Sequence, residues 1–127
     1  MRELLLGIDI GTSACKAAVF GRDGEVVAQT AEEYPVSYPK PGWAEQDPEL
    51  WWQAVCAALR RLTDEGRFSA DEIAGVGVDG QSWSAIAVDR AGRVLCPTPI
   101  WMDTRAQGIC DSLRGRYGEE RFFSVSG

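Results

Sequence analysis

The chain has 127 residues, 45% hydrophobic and 25% charged, with a formal net charge of −6, which suits one hydrophobic core of ordinary size. No basic run gathers its 13 Lys and Arg residues, so nucleic acid is not expected as a partner. No apolar stretch approaches the roughly 20 residues that cross a bilayer, and the N-terminus turns acidic at Asp9, too early for a secretory signal. No membrane contact and a cytoplasmic location are therefore expected.

With no histidine, Ser-His and Cys-His nucleophilic sites and His metal ligands are excluded within these residues. Cys15, Cys56, Cys96 and Cys110 form no CxxC pair, so reduced, mostly buried thiols are expected rather than zinc or redox use.

In chain order, Leu4-Leu5-Leu6-Gly7-Ile8 is a short apolar run that ends at Asp9, the pattern of a buried strand. Gly11-Thr12-Ser13 makes a tight turn, and Cys15 to Phe20 resumes a strand. Asp23-Gly24 signals a hairpin, and Val26 to Ala31 runs back antiparallel. This three-stranded meander argues against a Rossmann start, in which the Gly-rich turn leads into a helix.

Pro35, Pro39, Pro41 and Gly42 mark a surface loop. It closes on Asp47-Pro48, an N-cap followed by proline at the first helical position. Trp51, Val55, Ala58 and Leu62 recur at helical spacing until Gly66. Trp51 is read as core, and Trp52, on another face, as partly exposed. Ser69 to Glu72 has capping-box spacing for one short turn.

Ile73 to Val78 reads as another buried strand, ending at Asp79-Gly80-Gln81. A second hairpin is expected from Ala85–Val88 and Val94-Leu95 around Asp89–Gly92. Ala106, Ile109, Cys110, Leu113 and Tyr117 then form one face of a last helix, with Gly118 beyond it. The order β-β-β-α-β predicts an α/β fold with a mixed sheet and flanking helices. Phe122 to Gly127 carries no closing signal, and the chain reads as cut.

The strongest chemical signal is Gly7-Ile8-Asp9-Ile10-Gly11-Thr12-Ser13, with Lys16 three residues on. An Asp ending a buried apolar strand is costly unless it meets a cation or water. The turn after it offers backbone N–H groups and two hydroxyls without bulk. Such concavities bind phosphate oxygens, beside which a carboxylate holds Mg²⁺ directly or through water. On spacing alone, a tight hairpin whose Asp caps its own turn fits equally well.

Strand-Asp-x-Gly-Thr-Ser at the N-terminus resembles the first phosphate loop of the actin-like ATPases, which include sugar kinases, actin and heat-shock chaperones. Three further segments select among these branches. Tyr38 to Pro48 (YPKPGWAEQDP) resembles the stretch before the first helix of FGGY carbohydrate kinases, notably xylulokinases and gluconokinases. Gly80-Gln81 resembles their substrate loop, and Ile100 to Arg105 (IWMDTR) their Trp-x-Asp-x-Arg segment. Four motifs in the family's order span essentially the whole chain.

The resemblance implies a ribonuclease-H-like, actin-like fold and a parent enzyme that phosphorylates a hydroxyl of a small sugar or polyol with ATP and Mg²⁺. Asp9 would organise the metal, and Gly11, Thr12, Ser13 and Lys16 would meet the terminal phosphates. Gln81, Ser82, Trp83, Trp101 and Asp103 would line the sugar pocket, amide and carboxylate bridging hydroxyls and indole covering the sugar's apolar side.

The residues alone leave other roles open: a solvated lysine for Lys16, core packing for Trp101, N-capping for Asp103 and a carboxylate partner for Arg105. Many xylulokinases and gluconokinases have Met-His after the Gln. Here Ser82-Trp83 stands instead, so the sugar is not carried over.

Trp43 is left between packing back on the domain and contacting a second subunit, and a homodimer of the parent remains open. Residues 1–127 are expected to be an incomplete N-terminal domain without the general base or the adenine-holding domain, and so inactive alone. The rival reading is a non-catalytic, actin-like sugar-binding or regulatory module.

Overall fold

In the computed structural model, which describes residues 3–126, the expected meander forms as β1 (Leu4–Ile10), β2 (Ala14–Gly21) and β3 (Val26–Glu33). Antiparallel registers run Asp9↔Lys16 between β1 and β2 and Lys16↔Ala31 between β2 and β3. The Asp23-Gly24 turn closes with Gly24 N–H donating to the Gly21 carbonyl at 3.0 Å. β4 (Glu45–Gln46) precedes helix α1 (Pro48–Asp64), and a short 3-10 turn at Ala70–Glu72 leads into β5 (Ile73–Gly80).

β5 lies parallel to β1, giving a four-stranded mixed sheet in the order β3-β2-β1-β5. β6 (Thr98–Pro99) pairs with β4 in a separate two-stranded ribbon. Helices α2 (Gln107–Tyr117) and α3 (Glu119–Ser126) follow.

α1 forms for the reasons its sequence carries. Asp47 Oδ1 accepts the Glu49 N–H at 3.0 Å, and Pro48 occupies the first turn, where its missing N–H is no loss. Trp51, Ala54, Val55, Ala58 and Leu62 fall on one buried stripe, and Trp52 is exposed, both as expected. The stripe lies across β2 and β3, where it covers Val19, Ala17 and Ala28, with Leu4 and Ile8 of β1 completing the core.

Several expectations need correction. β5 forms but is not buried: Val76 and Val78 are 59% and 68% exposed, because they lie at the sheet's edge on the face of Leu6 and Ile8, where α1 packs mainly over β2 and β3. The apolar composition of β5 suits a strand covered on both faces, whereas among the described residues only its first residue, Ile73, packs against the core.

The second hairpin reduces to one bridge, Val88↔Val94, around a turn held by Asp89. Of the four free cysteines only Cys15 is buried, and Cys96 is exposed. α2 starts after Ala106 with no side-chain cap, so Asp103 is not its N-cap. The apolar face of α2 forms, but Ile109, Leu113 and Tyr117 are exposed. The closing residues, in which no closing signal was expected, belong to α3 through Ser126, and Gly127 lies outside the described residues.

Candidate functional site

The site lies at the carboxyl ends of β1 and β5, where ligands bind in open α/β sheets. Pairing of β1 with β5 sets Asp9 beside Asp79, and pairing with β2 sets it beside Lys16. Lys16 Nζ lies 3.8 Å from Asp9 Oδ2, with both groups solvated. The face carrying these groups, opposite α1, has a hollow of about 450 Å³ floored by Gly7, Ala18, Phe20 and Gly77.

The turn after β1 is held from the protein side by its carbonyls. Gly11 O accepts the Tyr34 hydroxyl at 2.6 Å, Thr12 O accepts Gln46 Nε2 at 2.7 Å, and Ser13 O accepts the Tyr34 N–H at 3.1 Å. Among the described residues the N–H groups of Thr12 and Ser13 donate to no protein acceptor. The turn thus keeps two backbone donors and the Ser13 hydroxyl for a ligand, with the Thr12 hydroxyl already accepting one hydrogen bond. Burial first, then Cys15 and Asp9, push the Tyr34 phenol up to about 12, which favours the protonated form that donates to Gly11 O. Burial beside Asp9 and Glu32 likewise raises the Cys15 thiol.

The Gln81 loop is fastened to the same place. Gln81 N–H donates to Ile10 O at 2.9 Å, and Gln81 Nε2 donates to Gln46 Oε1 at 2.9 Å. A side chain at Gly80 would meet Ile10 O at 3.0 Å, so glycine permits this approach. Trp83 has φ +64, alone among the non-glycine described residues, a conformation that costs energy and clusters at functional sites. It is 92% exposed. Trp101, also largely exposed, donates from Nε1 to Thr12 Oγ1 at 2.9 Å, which places it at the mouth of the site and outside the core.

Asp103 does not present a free carboxylate. Oδ2 accepts Ala44 N–H at 2.8 Å and Arg105 Nε at 2.8 Å, while Oδ1 accepts Arg105 N–H at 2.9 Å. Arg105 Nη2 reaches Glu45 Oε2 at 2.8 Å, the carboxylate pairing left open for Arg105. The Arg105 hydrogen bonds, then that from Ala44 N–H, hold the Asp103 carboxyl at about 2.

The guanidinium stacks 3.7 Å from the Trp43 ring, with Lys40 Nζ at 4.6 Å. Trp43 therefore packs back on its own domain. At Gly42, with φ +77, a Cβ would come within 2.7 Å of Thr104 Oγ1, so glycine is required for this loop to close.

The structure thus brings together Asp9, Lys16, Gly11–Ser13, Gln81 and Trp101, and leaves Ser82 and Trp83 on the adjoining exposed loop. Motif reading passed over Tyr34, Gln46 and Asp79. Asp79 repeats the strand-ending signal of Asp9. Gln46 stands inside the GWAEQDP run without any local mark of burial.

Residues 4–127 match the model of the N-terminal domain of the FGGY family of carbohydrate kinases. The chain belongs to the FGGY family of carbohydrate kinases. This FGGY domain is 40% identical over 118 residues to a xylulose kinase of Escherichia coli, covering 93% of the chain and 24% of that protein. It is 37% identical over 113 residues to a glycerol kinase of Ralstonia pickettii, covering 88% and 23%.

The crystal structure of gluconate kinase from Lactobacillus acidophilus superposes with a TM-score of 0.86 at 27% identity, over 95% of this chain and 24% of that one. The chain therefore spans about a quarter of the length of these relatives, and its fold is that of the FGGY kinases. Among the described residues no helix is long and apolar enough to cross a membrane.

Proposed function

We propose that this chain is an incomplete N-terminal domain of a cytoplasmic enzyme that transfers the γ-phosphoryl group of ATP to a hydroxyl of a small sugar or polyol. One observation carries the reading. A turn with unengaged N–H groups beside an Asp pair is hydrogen-bonded directly to Trp101, through Thr12, and by way of Gln46 to the loop bearing Gln81.

The residues fit the groups the family uses. Mg²⁺ keeps several waters and takes one or two protein carboxylates together with substrate phosphates. Asp9 and Asp79 stand side by side as such a pair. Among the described residues no larger cluster of acidic or sulfur ligands is gathered. When bound, MgATP supplies the phosphoryl group and the charge that draws phosphate oxygens into the turn.

The chain's own part is to bind and orient. Thr12 and Ser13 N–H groups meet phosphate oxygens, Lys16 offsets their charge, and Asp9 holds the hydrated cation in place. Gln81, with Trp101 and Trp83, positions the sugar. Phosphoryl transfer depends on positioning and charge stabilisation between two sides of a cleft, so this chain alone is expected to show no sugar-dependent ATP turnover.

The test is Asp9→Asn in the longer protein. Loss of the carboxylate that would hold the cation offsetting the developing phosphate charge should lower kcat about 100-fold or more, with sugar KM little changed. An unchanged kcat would remove Asp9 from the mechanism. Sugar binding with no ATP turnover in the wild-type protein would favour a non-catalytic sugar-binding module.

A further inference from the structure

Gln46 is 2% exposed, one of two buried polar residues among those described. A buried primary amide has two donors and two acceptor lone pairs, and leaving them unpaired is costly. Gln46 satisfies all four. Nε2 donates to Thr12 O at 2.7 Å and to Pro35 O at 3.2 Å, while Oε1 accepts Trp51 Nε1 at 3.1 Å and Gln81 Nε2 at 2.9 Å.

Two of these partners, Pro35 and Trp51, tie Gln46 to the body of the domain. The other two belong to opposite sides of the site: Thr12 to the phosphate turn and Gln81 to the sugar-side loop. A methionine would fill the same space without these bonds, so packing alone does not call for glutamine here. Gln81 donates from Nε2 to Gln46, while its Oε1 is buried without a protein partner, so a ligand donor reaching Gln81 would act on an amide linked to Gln46.

We infer that Gln46 is a positioning residue that couples the two sides of the site, so that sugar and nucleotide each favour binding of the other. The inference rests on the kinase reading above. Its physical basis is that one rigid amide fixes the spacing of the two loops. A ligand that orders Gln81 leaves less of the phosphate turn to be ordered by the next ligand, and by linkage the effect is reciprocal. Gln46 touches neither ligand in this arrangement. Its removal should therefore change the coupling more than either affinity.

The experiment is calorimetry on the longer protein with D-xylulose, D-gluconate or glycerol, each titrated with and without a non-hydrolysable ATP analogue and Mg²⁺. In the wild type the analogue should tighten binding of the sugar or polyol at least about fivefold, the usual lower range of such coupling. In Gln46→Met that factor should fall toward 1, while each single-ligand Kd stays within about twofold.

Gln46→Glu is nearly isosteric and loses both donated bonds, so it should lose the coupling in the same way. Coupling that persists in either folded variant overturns the proposal, even where Tm falls, because Gln46 is then only structural. A wild type that binds both ligands without coupling also overturns it, whereas one that binds neither overturns the kinase reading itself. Should both variants fail to fold, hydrogen exchange on the wild type decides. Sugar alone should slow exchange of the Thr12, Ser13 and Ala14 amides, and no change there refutes the link.

Discussion

Replacing Asp103 by alanine removes a carboxylate that accepts from three separate nitrogens, Ala44 N, Arg105 N and Arg105 Nε, with its side chain only 4% exposed. Charge-assisted hydrogen bonds contribute about 1.5–3 kcal/mol each, and a stranded buried donor costs about 1–3 kcal/mol. Removing one partner of a buried ion pair costs about 3–5 kcal/mol. Here Glu45 still holds Arg105 Nη2 at 2.8 Å, so the guanidinium keeps a partner and the loss should be smaller, about 2–4 kcal/mol. Asp103→Asn keeps an acceptor and should lose about half of that.

Urea unfolding at neutral pH measures both variants. A loss below about 1 kcal/mol for Asp103→Ala would refute the view that this carboxylate clamps the Trp43 loop. The pH dependence gives a second check. The folded carboxyl titrates at about 2, below its ordinary value. Its contribution is therefore present above the ordinary carboxylate range and is lost as pH falls through that range toward about 2. That part of the acid loss should be absent in Asp103→Asn.

Leu62→Ala, at a side chain 1% exposed under the sheet, should lower stability by about 2–5 kcal/mol in urea unfolding, and a loss under about 1 kcal/mol would place Leu62 outside the core. Tyr34→Phe should cost about 1 kcal/mol and, in the longer enzyme, lower kcat through a looser phosphate turn. Spectrophotometric titration of the three tyrosines should show one ionising only at about 12 and absent from the variant. The raised value means that the neutral phenol favours the folded state below its ordinary range, and that this stability is lost as pH rises toward about 12. Trp83→His should leave Tm nearly unchanged, since the ring is exposed, but alter selectivity across a sugar panel in the longer enzyme. Identical selectivity would remove Trp83 from sugar recognition.

The local features were legible in the sequence because their causes lie within a few residues. The Asp23-Gly24 turn, the Asp47-Pro48 start of α1, the buried stripe from Trp51 to Leu62 and the Gly11-Thr12-Ser13 turn each follow from neighbouring residues acting on one another. The motifs and their order also pointed to the family.

Partners distant in the chain were a matter for the tertiary structure. Asp103 carries the signature of an N-cap, yet its strongest partners are Arg105 and the Ala44 N–H, 59 residues earlier. β5 reads as a buried strand because its residues are apolar, but exposure depends on what lies over it, and α1 packs mainly on β2 and β3, away from this edge. Trp101 reaches Thr12 across 89 residues, and Gln46 joins Thr12, Pro35, Trp51 and Gln81. A sequence names the donors and acceptors a residue carries. Which of them meet is decided only when the sheet and α1 bring segments far apart in the chain within hydrogen-bond distance.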